Sequence, residues 1–107
     1  MNIILSKEKL NRRLMNTPQL NVVYFKRDIT GTSKGLDHDL KDLAVQFGDS
    51  VNFFTINVEY ETEIDGDYQI MTLPTVLLFK KGAQIDRLSG CIDRTLLSQS
   101  IERHIAI

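Results

Sequence analysis

The chain has 107 residues, of which 42% are hydrophobic and 25% charged, and its formal net charge is −1. That length supports one domain with a single core. The near-neutral balance excludes a polyanion partner recognised by charge, because Arg12-Arg13 and Lys80-Lys81 are too few and too scattered to form a basic patch.

The single cysteine, Cys91, excludes an internal disulfide and any C-x-x-C redox or metal pair, and it is compatible with a reducing compartment. The first seven residues lack the basic-then-apolar pattern of a secretory leader. No run approaches the ~20 apolar residues of a membrane span. The expectation is one soluble, cytoplasmic domain over residues 1–107, without repeats.

In chain order, Ile3-Ile4-Leu5 predicts a short edge strand. Ser6 is placed as an N-cap, with Leu5 and Leu10 spaced as a hydrophobic staple around it. Leu10 and Leu14 mark one face of a short helix that ends near Pro18, because a residue before proline resists the helical region. Residues 21–26, with Val22-Val23-Tyr24-Phe25, predict a buried strand. A loop rich in small hydroxyl residues follows at 27–33. Leu36, Leu40, Leu43, Ala44 and Phe47 then trace a helical stripe, stopped by Gly48.

Residues 51–58 predict a third strand. The acidic stretch 59–68 contains Asp65-Gly66-Asp67, which lowers helix propensity, so a short or irregular helix is expected there. Thr75-Val76-Leu77-Leu78-Phe79 has no polar alternation and suits a strand buried on both faces. Pro74 sits at its very start, where no ladder N–H is needed. Lys80-Lys81-Gly82 turns the chain into a fifth strand, residues 83–89. After Ser89-Gly90, a last helix presents Leu96, Leu97, Ser100, Ile101 and Ile105 on one face. The order is β-α-β-α-β-α-β-β-α. Alternating strands and helices predict parallel crossovers, the short turn predicts an antiparallel pair, and together they give an α/β fold with a mixed five-stranded central sheet and helices on both faces.

This order, and two local stretches, resemble the thioredoxin family. Val23-Tyr24-Phe25-Lys26-Arg27-Asp28-Ile29-Thr30-Gly31-Thr32-Ser33-Lys34 is similar to that family's strand–loop–helix V-D-F-W-A-x-W-C-G-P-C-K. Asn57-Val58-Glu59 and the run from Tyr68-Gln69-Ile70 through Leu73-Pro74-Thr75 to Phe79-Lys80-Lys81-Gly82 resemble its N-x-D and cis-proline strand, and Gly90 falls on the glycine ending its fifth strand. No gap is needed between Phe25 and Gly90. The resemblance implies a thioredoxin-like fold, a cis Leu73–Pro74 bond, and a peptide-binding surface around Thr30, Gly31, Thr32, Ser33, Leu73, Pro74 and Gly90, with Cys91 at its rim.

The departures bear on activity. Thr30 and Ser33 stand where the family keeps its two cysteines, Tyr24 where it keeps a buried acid, Thr55 where it keeps that acid's lysine partner, and Lys26 and Ile29 where it keeps two tryptophans. Thiol–disulfide exchange needs a thiolate and a second thiol to resolve the mixed species, and this loop has neither. The expected function is a redox-inactive module that holds a polypeptide. The alternatives are a monothiol oxidoreductase using Cys91 and a structural subunit of an assembly.

Several residues carry two readings. Thr30, Thr32 and Ser33 either cap the following helix or, with Lys34, offer an anion site at its N-terminus. Cys91 is either a small apolar residue or a reactive thiol, with Asp86 and Asp93 raising its pKa and Arg87 and Arg94 lowering it. His38, His104, Asp37, Asp39 and Asp42 are read as solvated surface and not as metal ligands. No cofactor, metal, nucleic acid or membrane partner is expected, and the chain is either a monomer or a homodimer.

Overall fold

The computed structural model describes residues 2–3, 7–16, 18–26, 34–57, 70, 72–90 and 92–105. The sheet is carried by four strands of six or seven residues: β2 (Leu20–Lys26), β3 (Val51–Asn57), β4 (Thr75–Lys80) and β5 (Ala83–Ser89). A two-residue strand, β1 (Asn2–Ile3), pairs with the outer side of β3. Three helices are described, α1 (Lys7–Asn16), α2 (Lys34–Phe47) and α3 (Arg94–Ile105). The expected Ser6 cap and the expected helix within 59–68 lie outside the described residues.

The lateral order is β1-β3-β2-β4-β5. β2 runs parallel to β3 and antiparallel to β4, and β5 is antiparallel to β4. The sheet is therefore mixed, as expected from helical crossovers on one side and a tight hairpin on the other. That hairpin has a two-residue loop, Lys81-Gly82, with φ of 54° and 82°. Both positive angles match a turn whose twist follows the strands, and glycine supplies the second without steric cost.

Period-two alternation splits the core between the two faces. Leu20, Val22 and Tyr24 of β2, Val51 and Phe53 of β3, and Val76 and Leu78 of β4 pack with Leu36, Leu40 and Leu43 of α2 and Leu97 and Ile101 of α3. Val23, Phe25, Phe54, Ile56, Leu77 and Phe79 face the other way, onto Leu10 and Leu14 of α1. The runs that lacked polar alternation are the strands with apolar contacts on both sides.

One irregularity shapes β5. Leu78 pairs with Asp86 but Phe79 pairs with Gln84, so Ile85 is an extra residue in the ladder. In a regular strand Ile85 and Leu88, three apart, would point to opposite faces. The bulge lets both pack against the α2/α3 cluster, with Asp86 between them on the side of α3.

Two expectations are corrected and one holds. Leu96 does not share the buried face of α3; it is 54% exposed, because it lies about 100° round the helix from Leu97. His104 is not a surface residue, since the last turn of α3 lies against β5 and leaves its side chain 14% exposed. Gly48 is the helix stop the pattern predicts: α2 ends at Phe47, Gly48 has φ of 56°, and a 3-10 turn, Gly48–Ser50, leads on into β3.

Candidate functional site

Four chain segments meet at one end of the sheet. Phe25, near the end of β2, pairs with Thr75 at the start of β4, and Thr75 pairs with Ser89 at the end of β5. The Leu73–Pro74 bond that leads into β4 is cis. Leu73 and Pro74 are half-buried, and Thr72 beside them is exposed.

A small hydrogen-bond network locks this edge together. The Thr75 hydroxyl donates to the Thr72 carbonyl at 2.5 Å and lies 3.2 Å from the Ser89 hydroxyl. The Gly90 N–H donates to the Pro74 carbonyl at 3.1 Å. Gly90 has φ of 77°, a conformation costly for any residue with a Cβ, and the space where a Cβ would stand is open. The chain thus passes Pro74 closely without a side chain to fill the surface there.

The start of α2 is tied to the same end. Lys26, the last residue of β2, places Nζ 3.3 Å from Asp37 Oδ2 in the first turn of α2. This pair fixes the described residues on either side of segment 27–33. Thr30, Gly31, Thr32 and Ser33, and also Cys91, lie outside the described residues; Leu73, Pro74 and Gly90 are the expected site residues that the described structure brings together.

Beneath this end, Tyr24 and Thr55 are neighbours in the parallel register of β2 and β3, and both are buried. They occupy the positions that the resemblance assigns to a buried acid and its lysine. A phenol and an aliphatic hydroxyl thus stand side by side there, in place of a carboxylate and an amine.

The aspartates of α2 are partly exposed and ion-paired. Besides the Lys26–Asp37 pair, Arg94 Nη1 lies 3.0 Å from Asp42 Oδ2 and 3.7 Å from Asp39 Oδ1, joining the start of α3 to α2. His38, 75% exposed, approaches Asp42 one turn earlier at 3.3 Å. An arginine in the first turn of a helix opposes the macrodipole, and the two carboxylates offset that. Among the described residues no group of three or more His, Cys, Asp or Glu side chains is arranged to hold a metal ion. No described helix is long and apolar enough to cross a membrane.

A second polar cluster, of Asp86, Ser100 and His104, was missed in the sequence. Its one legible sign was a serine within an otherwise apolar stripe on α3.

A mixed sheet of this topology, with a cis-proline strand and a following glycine at its edge, defines a thioredoxin-like fold. The thioredoxin family model matches residues 1–103, and the chain belongs to the thioredoxin family. It is 30% identical over 84 residues to an M-type chloroplastic thioredoxin of Brassica napus, covering 78% of this chain and 48% of that protein. It is 26% identical over 86 residues to a thioredoxin of Staphylococcus saprophyticus, covering 80% of this chain and 83% of the relative. Against the Brassica protein the match spans about half of the relative's length, and against thioredoxin 1 of a Nostoc strain 60%. Among solved structures, Fasciola hepatica thioredoxin superposes with a TM-score of 0.88 at 27% identity, covering 97% of this chain and 99% of that one.

Proposed function

We propose that this chain is a thioredoxin-fold binding module that holds an extended polypeptide at the Leu73–Pro74 and Gly90 edge and does not perform dithiol–disulfide exchange. One observation carries the reading: the chain has a single cysteine, Cys91, and Thr30 and Ser33 stand at the family's two cysteine positions. Disulfide exchange needs an attacking thiolate and a resolving thiol. Tyr24 and Thr55 add to the argument, because the acid–base support beneath the loop has gone with the thiols.

The binding half of the reading rests on the edge at Pro74. An extended peptide adds to such an edge through backbone hydrogen bonds, with side-chain pockets setting its preference. The network among Thr72, Thr75, Ser89, Gly90 and Pro74 supports a preorganised surface, which lowers the ordering cost of binding. A chain with one thiol suits the cytoplasm as its compartment.

Two measurements test this. In insulin reduction by dithiothreitol, the chain is expected to give no rate above a buffer control; a rate comparable to that of an active thioredoxin overturns the redox-inactive half. In affinity capture, partners are expected to remain bound in reductant and to be lost with Thr72→Trp, which places a bulky ring at the exposed neighbour of Leu73. Partners released by reductant favour a monothiol role for Cys91 instead, and partners indifferent to Thr72→Trp move binding to another surface.

A further inference from the structure

The hydroxyl network at the Pro74 edge has a fixed direction. A carbonyl oxygen only accepts, so the 2.5 Å contact between Thr75 Oγ1 and the Thr72 carbonyl uses the one proton of the Thr75 hydroxyl. The 3.2 Å contact between Thr75 Oγ1 and Ser89 Oγ then has one donor, Ser89. Ser89 thus spends its only proton inward, on a threonine that is fully buried. Its own oxygen keeps its lone pairs, at an exposed position. The Gly90 N–H is committed in the same way, to the Pro74 carbonyl at 3.1 Å, and Pro74 has no N–H. The three donors of this network, on Thr75, Ser89 and Gly90, are all used within the protein. What the network turns outward is an acceptor.

We propose that Ser89 is a specificity-determining residue of the peptide edge, selecting a ligand whose side chain over Gly90 carries a hydrogen-bond donor, such as a glutamine or asparagine amide. The inference rests on the binding reading given above and names what that edge prefers. Gly90 leaves room for the approach, because no described heavy atom beyond its chain neighbours lies within 4 Å of where a Cβ would stand. A donor arriving there extends the relay: ligand N–H to Ser89, Ser89 to Thr75, Thr75 to the Thr72 carbonyl. Each hydroxyl in such a chain polarises the next. An acceptor arriving there meets lone pairs with no proton between them, and it loses its water without replacement. To meet that acceptor, Ser89 has to turn its proton outward and give up the bond to Thr75, which costs about as much as the new bond returns. Thr75 is a positioning residue, since it acts on the ligand only through Ser89.

Fluorescence anisotropy of the full chain with extended peptides tests this. The peptides are selected on the chain from a randomised library. Each is then made with glutamine, and separately with glutamate γ-methyl ester, at every position in turn. The two side chains are similar in shape and both uncharged, but the ester has no donor. At one position glutamine is expected to bind about two- to ten-fold more tightly, the scale of one hydrogen bond. Ser89→Ala is expected to bring that ratio close to one. Thr75→Val releases the Ser89 proton and is expected to lower the ratio as well, whereas Thr75→Ser keeps the relay and preserves it. Equal affinities at every position in the unsubstituted chain, or a ratio that Ser89→Ala leaves unchanged, overturns the assignment while peptide binding itself stands. No selected peptide, or peptides whose binding Thr72→Trp leaves unaffected, overturns the binding reading and this inference with it. If Thr75→Val fails to fold, Ser89→Ala decides, because Ser89 is exposed and its truncation leaves the core intact.

Discussion

Among the described contacts, the two faces of the sheet are held to their helices by a different balance of forces. On the α1 side, eight buried residues from α1, β2, β3 and β4 form one apolar cluster. On the α2/α3 side a larger apolar cluster is supplemented by charge: Lys26 with Asp37, Arg94 with Asp39 and Asp42, and Asp86 with Ser100 and His104. Apolar burial is non-directional and insensitive to pH and salt, whereas ion pairs depend on both. Among the described contacts, the ends of α2 and α3 are therefore parts of the molecule that solution conditions can adjust, while the apolar cluster on the α1 face responds to them less. The Leu73–Pro74 and Gly90 edge combines the two differently, with hydrogen bonds between neutral groups beside the packing of Leu73 on the α1-side cluster.

Mutations that separate the two faces test this contrast. The largest effect is expected on the apolar side. Phe25→Ala removes a fully buried ring between β3 and β4 and should cost about 3–5 kcal/mol in a denaturant titration. The loss should be the same at pH 5 and pH 8 and in low and high salt. A loss that varies strongly with either would show that the α1 face depends on charges as well.

A smaller effect is expected at the buried polar cluster. Ser100→Ala leaves Asp86 without its hydroxyl donor and should cost about 1–3 kcal/mol at neutral pH. The sign of its pH dependence follows from Asp86. In the folded chain this carboxyl is held below its ordinary value, so the unfolded chain takes up the proton first as the solution is acidified. The stabilisation is complete above the ordinary carboxylate range and disappears as pH falls through the folded value. Ser100→Ala should therefore flatten the acid limb of a stability-against-pH curve; an unchanged limb would separate Ser100 from the charge on Asp86.

The smallest effect belongs to the exposed link between α2 and α3. Arg94→Ala breaks contacts with Asp39 and Asp42 whose side chains are themselves partly exposed, and should cost less than about 1 kcal/mol. Most of that difference should vanish at 1 M salt, where the screening length is about 3 Å. A loss that persists in salt would mean that Arg94 acts through packing of its aliphatic stem.

The sequence by itself determined the strands, the helices and the family, for physical reasons that are local. Val22 to Phe25 and Thr75 to Phe79 have no polar alternation because both of their faces are covered. The positions of Leu36, Leu40 and Leu43 match one turn of helix after another. Pro74 at a strand start and Gly82 in a two-residue turn follow from backbone constraints that those residue types carry with them. The loss of the thiol pair was equally legible, since it needs only Thr30, Ser33 and a count of cysteines.

Tertiary structure decided what lies between elements distant in the chain. In the sequence Asp86 reads only as a neighbour of Cys91 and His104 as a surface residue, until the bulge at Ile85 and the docking of α3 bring them together. Arg94 meets Asp42 from 52 positions away in the chain. Lys26 reaches Asp37 only because β2 and α2 come together around the 27–33 segment. Pairings of this kind depend on the angle at which helices settle on a twisted sheet. Hydrophobic periodicity selects the face a helix buries, but the polar groups at its ends find their partners only once the packing is complete.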